Sequence, residues 1–291
     1  MRFNRSMTVL AVAGLSLSLA ACGGGGGATD VEVADNPEFE SGTMMADLNE
    51  AGSIKIGVKF DQPGIGFKEP GSDTPVGFDV EMGRIVAGAL GIDDEGIEWV
   101  PTVSDNREPY LQDGTVDIVI ASYSITDERR DVVGQAGPYY VTGQQLMVLD
   151  EDKETITTPE DTEGKKVCSV TGSTSLQRME DEFGASPVPF DTYSECVNQL
   201  ENGTVDAVTT DGAILLGYAA ENPDELEVVG EPFSEERYGI GYPKEATDMC
   251  EFLNDTITAS YEDGTWEEAF DATLGESGVD APDQPEPDAC S

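Results

Sequence analysis

The chain has 291 residues and carries 59 acidic against 15 basic side chains, a formal net charge of −44. Simple Coulomb attraction to nucleic acid or to an anionic membrane surface is excluded as a basis for binding. No histidine occurs, which removes Ser-His-Asp triads, Cys-His pairs, HExxH zinc sites and any histidine general base.

Arg2 and Arg5 precede an apolar run from Met7 to Ala21 that is too short to span a bilayer comfortably and reads as a secretory signal over 1–21. The run ends in Leu19-Ala-Ala-Cys22 followed by five glycines, which resembles the lipobox of bacterial lipoproteins. That resemblance implies that Cys22 becomes the lipidated N-terminus, anchoring the protein at the extracellular face of the membrane. Residues 22–48 are then expected to be a flexible, acidic tether.

Beyond the tether, Ser53–Phe60 alternates as a strand, and Val80, Met82, Ile85, Val86, Ala89 and Leu90 follow a helical period that stops at Gly91. Ile97–Val100 is a short strand, Pro109–Gln112 belongs to a helix, and Val116–Ile120 is a continuous apolar strand. This β-α-β-α-β run predicts an α/β fold with a mostly parallel sheet. A second unit begins at Lys165–Val170, continues through a helix near Ser175–Phe183 and repeats a helix-Gly-strand element over Tyr193–Val208. Leu111–Val119 and Leu200–Val208 both read L-x-x-G-T-V-D-x-V, an echo that predicts two α/β lobes built alike. Helices are expected at Ala246–Tyr261 and Thr265–Leu274. The predicted layout is lobe 1 over 49–139 plus 242–275, lobe 2 over 143–238, and an extended, solvated acidic Pro-rich tail over 276–291 pinned by Cys290.

Besides Cys22 there are four cysteines, Cys168, Cys196, Cys250 and Cys290. An even number in an exported chain points to disulfides, and three connectivities are open. Pairing within a lobe favours Cys168–Cys196, and tying the tail to a helix favours Cys250–Cys290. Zinc, the competing reading, lacks both a C-x-x-C spacing and a histidine.

Five ordered segments, Gly77–Met82, Ser124–Arg129, Pro138–Tyr140, Thr171–Thr174 and Val205–Asp211, together resemble the bacterial extracellular solute-binding proteins of family 3. These serve ABC importers of polar amino acids, and the likeness covers roughly 50–275. Gly57–Gly64 and Ser104–Arg107 look more narrowly like the glutamate-binding lipoproteins of Gram-positive bacteria. The resemblance implies two α/β lobes that close over an amino acid about a two-strand hinge, expected near Tyr139–Gly143 and Tyr238–Tyr242. It implies a monomer that partners an ABC permease and its ATPase.

Capturing a zwitterion needs a cation and polar donors for the α-carboxylate and a carboxylate for the α-ammonium, all in a desolvated cleft. By resemblance Arg129 forks onto the α-carboxylate, Ser124 donates to it, and Ser122 offers its backbone carbonyl to the ammonium. Ser173 and the backbone N–H of Thr174 complete the carboxylate site from the second lobe, and Asp211 takes the ammonium. Read singly, Arg129 is a solvated helix cation, Asp211 a helix cap and Thr171–Thr174 a turn. Lys59 and Arg107 are surplus cations that favour a side-chain carboxylate, hence L-glutamate, then L-aspartate, then L-glutamine. Arg107→Ala is accordingly expected to weaken glutamate binding more than about tenfold and glutamine binding little. Asp61 either orients those cations or turns preference towards glutamine. A cleft enzyme using Asp61, Asp79 or Glu81, and an amino-acid sensor, are the rival classes. Glu81 is expected on the outer face of its helix, and no catalytic residue, metal or cofactor is expected.

Overall fold

The computed structural model describes residues 29 and 31–290; the predicted signal segment and Cys22 lie outside them. In chain order the first part runs α1 (Met44–Ala51), β1 (Ile54–Val58), β2 (Asp61–Gln62), β3 (Gly66–Phe67), α2 (Phe78–Ala89), β4 (Ile97–Pro101), α3 (Arg107–Asp113), β5 (Ile118–Val119), α4 (Asp127–Val132) and β6 (Gly134–Thr142). There follow β7 (Gln144–Leu149), β8 (Lys166–Val170), α5 (Thr174–Glu182), β9 (Ser186–Phe190), α6 (Tyr193–Glu201), β10 (Ala207–Asp211), α7 (Gly212–Glu221) and β11 (Leu226–Val229). The chain then returns through β12 (Glu236–Tyr242) to α8 (Met249–Asp263) and α9 (Thr265–Asp271).

Two five-stranded sheets result, ordered β4-β1-β5-β12-β6 and β11-β7-β10-β8-β9. In the first, β4, β1 and β5 are parallel and β12 runs antiparallel to both β5 and β6. In the second, β9, β8 and β10 are parallel and β7 is antiparallel to β10 and β11. Each lobe thus has the α/β character read from the sequence.

The sequence echo has a concrete structural cause. In each lobe its leucine, Leu111 or Leu200, is buried on a helix, and its glycine, Gly114 at φ 74° or Gly203 at φ 65°, makes the left-handed turn out of it. Its aspartate then clamps the neighbouring strand: Asp117 Oδ2 accepts from Lys55 N at 2.7 Å, and Asp206 Oδ2 accepts from Lys166 N at 2.7 Å.

The first lobe is held by an aromatic cluster in which Phe78 packs against Tyr139, Tyr140, Trp266 and Phe270. α2 is buried along nearly its whole length, because the segment before α1 covers one side of it. There Ala34 N donates to Gly88 O at 2.9 Å, and Val31 and Phe39 pack on the core. The flexible tether expected through residue 48 is therefore corrected: residues 31–43 pack along lobe 1 and α1 begins at Met44. Glu81 is likewise fully buried rather than outward, paired with Arg84 at 2.6 Å and accepting from Thr29 N at 3.1 Å.

Crossings between the lobes occur at Gly143 and within 230–235, so Tyr238–Tyr242 belongs to the first sheet and the hinge lies nearer Ser234 than expected. Gln144 N donates to Ser234 Oγ at 3.0 Å and Phe233 N to Gln144 O at 2.9 Å, tying the two crossings together. Cys168–Cys196 and Cys250–Cys290 are both bonded. The tail, expected to be solvated, is docked at Asp288, whose carboxylate pairs with Arg130 at 2.8 Å and Arg237 at 2.6 Å. Two cations in reach of one carboxylate hold it, and Asp288 N also donates to Gly137 O at 2.7 Å.

Candidate functional site

Between the lobes lies a small, polar chamber. Seven of the nine ligand-binding residues expected from the sequence line it: Arg107, Ser122, Ser124, Arg129, Ser173, Thr174 and Asp211. Lys59 stands behind its wall, donating from Nζ to the lining residue Ser104 at 2.8 Å. Asp61 is elsewhere. Its Oδ2 accepts from Tyr193 N at 2.8 Å and its carbonyl accepts from Tyr218 OH, so it ties the β2–β3 hairpin to lobe 2.

Lys59 follows the carboxyl end of β1 and Arg107 opens α3; they are only 3% and 2% exposed. Among the described residues neither has a carboxylate within ion-pairing distance. Burial, and then the charge of Arg107, lowers Lys59 to about pKa 7. Burial, and then Arg129, lowers Arg107 to about 10. Arg107 is also a scaffold. Nε donates to Ser104 O at 3.1 Å, Nη1 to Ala121 O at 3.2 Å and Ser122 O at 3.1 Å, and Nη2 to Gly172 O at 3.1 Å across the cleft. Arg107→Ala would thus take a donor from four backbone carbonyls, of which Gly172 O keeps Arg129, and impair glutamine as well as glutamate, which revises the selective effect expected from the sequence.

Arg129 is held by Glu108 at 3.2 Å through Nε, by Ser124 O at 2.7 Å through Nη1 and by Gly172 O at 3.0 Å through Nη2. One N–H on each terminal nitrogen is left, the pair a carboxylate takes bidentately. Both guanidiniums lie over the Tyr123 ring, at 4.5 Å for Arg107 and 5.0 Å for Arg129, and Tyr123 OH donates to Glu108 at 2.7 Å. Ser122 adopts φ 42°, a left-handed conformation uncommon for serine. Asp79 holds it there, accepting from Ser122 N at 2.6 Å while its other oxygen accepts from Tyr139 OH at 2.5 Å. The Ser122 carbonyl thereby faces Arg107.

From the second lobe, Ser173 is the N-cap of α5, accepting from Leu176 N at 3.0 Å and donating to Val170 O at 2.8 Å. Its hydroxyl proton is committed, so its contribution to a ligand is as an acceptor. Asp211 stands at the N-cap position of α7 yet makes no cap bond. Oδ2 accepts from Tyr238 OH at 2.5 Å, while among the described residues the buried Oδ1 has no partner. Burial, and then the charge of Glu236, raises it to about pKa 7.

Sequence reasoning missed Ser104, Ser175, Tyr193, Thr210 and Ile214 as lining residues, although Ser104 and Thr210 sit inside quoted motifs. It also missed Glu236 on β12, which accepts from Ser124 Oγ at 2.6 Å and Thr174 Oγ1 at 2.9 Å. Those hydroxyls are thus donating to the protein, not aimed as donors into the chamber. Nothing in the sequence singles out one acid among 59. Among the described residues no cluster of His, Cys, Asp or Glu is arranged to hold a metal ion, and no helix is long and apolar enough to cross a membrane.

The chain is 38% identical over 250 residues to the glutamate-binding protein GluB of Corynebacterium efficiens, covering 82% of this chain and 84% of that one. It is 33% identical over 254 residues to the glutamine-binding protein GlnH of Bacillus subtilis, covering 87% and 90%. Among solved structures, an ancestral arginine-binding protein bound to glutamine superposes with a TM-score of 0.71 at 35% identity, covering 77% of this chain and 98% of that one. These relatives are solute-binding proteins, not enzymes. The profile of the bacterial extracellular solute-binding proteins, family 3, matches residues 54–276, and the chain belongs to that family.

Proposed function

We propose that the protein is the amino-acid-capturing component of an ABC importer and takes L-glutamate first, L-aspartate second and L-glutamine third. The observation that carries this reading is the pair Lys59 and Arg107, two buried cations without a carboxylate, set against the unpartnered Oδ1 of Asp211. A ligand with two carboxylates and one ammonium supplies what each pole lacks. An arginine side chain would bring a third cation to that pole, and the engagement of Asp61 with Tyr193 removes the group that favoured glutamine. The glutamate-binding relatives support the choice. Capture proceeds by closure of the lobes about the crossings at Gly143 and 230–235, and the closed shape is what the membrane permease recognises.

Calorimetric titration of a soluble form starting after Cys22, stripped by unfolding and refolding, tests the ligand. Micromolar binding of the acidic amino acids, about −8 kcal/mol, is the expected result; preference for glutamine overturns the ligand, and no binding overturns the class. The same reading holds that the protein is an exported monomer, lipid-anchored at Cys22 on the outer face of the membrane. Cys22→Ala should then abolish labelling by a fatty-acid probe; labelling that persists in the variant, or is absent from the wild type, would refute the anchor.

A further inference from the structure

Glu236 is 2% exposed and does not line the chamber, yet it grips a hydroxyl from each lobe. One oxygen, Oε2, accepts from Ser124 of lobe 1 at 2.6 Å and from Thr174 of lobe 2 at 2.9 Å. The other, Oε1, accepts from Arg178 Nη1 and from Ser234 Oγ, each at 2.9 Å. Arg178 Nη1 also donates to Gln144 Oε1 at 2.7 Å, so the carboxylate is braced against both lobe crossings.

Burial alone would raise the pKa of Glu236, but the bonds from Ser124, Arg178, Thr174 and Ser234 outweigh it and hold the group below its usual range. It is ionised at neutral pH, and an ionised carboxylate only accepts. The single protons of Ser124 Oγ and Thr174 Oγ1 therefore point at Glu236, and the faces these oxygens turn to the chamber are lone pairs.

We propose that Glu236 is a positioning residue: by taking both hydroxyl protons it makes Ser124 and Thr174 acceptors and, with Asp211 Oδ1, shapes one end of the chamber to require a ligand ammonium. This rests on the reading of the chamber as an amino-acid site. It assigns a specificity role to a residue that touches no ligand, set at the first position of the return strand.

The test compares L-glutamate with glutarate, the same dicarboxylate without its ammonium, by calorimetry on the folded protein. In Glu236→Gln, Arg178 and Ser234 keep the amide oxygen on their side and turn the NH2 towards Ser124 and Thr174. Both hydroxyl protons are then pushed into the chamber. The preference for glutamate over glutarate should narrow by about tenfold or more, largely by loss of glutamate. In a Ser124→Ala, Thr174→Val background the same substitution should leave the preference unchanged. Should Glu236→Gln fail to fold, Glu236→Asp, one methylene short of reaching both hydroxyls, should narrow the preference in the same direction. A preference kept within about twofold, or equal losses for both ligands, would overturn the proposal by leaving Glu236 a purely structural strut. If the wild type instead binds glutamine and no acidic amino acid, the ligand reading fails while the proposal is judged on glutamine and its desamino analogue. If it binds no amino acid, both fail.

Discussion

Lys59→Met should abolish tight binding of glutamate and at the same time raise the melting temperature of the ligand-free protein. Methionine fills nearly the same volume without the ammonium, so the packing around Ser104 is kept and a buried charge with no carboxylate partner is removed. Losing one partner of a buried charge pair costs about 2–5 kcal/mol, hence a weakening of about 30-fold or more for glutamate. Glutamine, which brings no second carboxylate, should lose far less, so the ratio of the two affinities is the decisive readout. A glutamate affinity within about threefold of wild type would remove Lys59 from the site.

The sign of the stability change follows from linkage. The folded pKa of Lys59 is lowered from 10.5 to about 7, so below pH 7 both states carry the proton and the folded state bears the whole cost of burying it. Between pH 7 and 10.5 the unfolded chain holds the proton and the folded one releases it, and stability from this group rises with pH. The advantage of Lys59→Met in melting temperature should be widest at or below pH 7 and fade above it. On the alkaline side of neutrality glutamate binding should take up protons as Lys59 becomes charged, visible as a dependence of the calorimetric heat on the buffer's ionisation enthalpy.

Asp211→Asn should have an effect of similar size at the opposite pole. The raised value of about 7 means that much of Asp211 is neutral below neutrality, and only the ionised form pairs well with an ammonium. Glutamate affinity should therefore fall by up to about tenfold per pH unit on the acid side, and Lys59 should impose a fall on the alkaline side, giving a maximum near neutral pH. Asp211→Asn should cost about 30-fold or more at the maximum and flatten the acid limb. Glutarate, without an ammonium, should be nearly indifferent to it. An acid limb that survives the substitution would assign the titration to another group, Asp79 at about pKa 6 being the next candidate.

Both lobes, most of their helices and both disulfides were legible because periodicity, glycine stops and the repeated L-x-x-G-T-V-D-x-V pattern report local physics. What escaped was set by tertiary context. β9 contains Pro187 and Pro189, which argue against a strand; it survives as the edge strand beside β8, where missing N–H groups cost no ladder bond on the open side. Residues 31–43 look like a tether by composition, and only the groove along α2 gives their few apolar side chains something to cover. At the site, most residues inside motifs converged, but Asp61, itself within Gly57–Gly64, was drawn off by a helix start in the other lobe. Glu236 could not be found at all, since its role depends on which hydroxyls a distant fold delivers to it.

The paired motifs carry a last consequence, one of symmetry. Ser122 and Asp211 each lie five residues beyond the aspartate of their motif, and both line the same chamber. They are equivalent positions of two similar halves brought face to face. The shared frame of leucine, glycine and aspartate fixes where each half ends but not what it ends in. One half finishes in a peptide carbonyl exposed by a left-handed serine, the other in a carboxylate. Identical scaffolding with unlike terminal groups makes the meeting place polar along its length, so a guest with distinct ends has one preferred direction in which to lie.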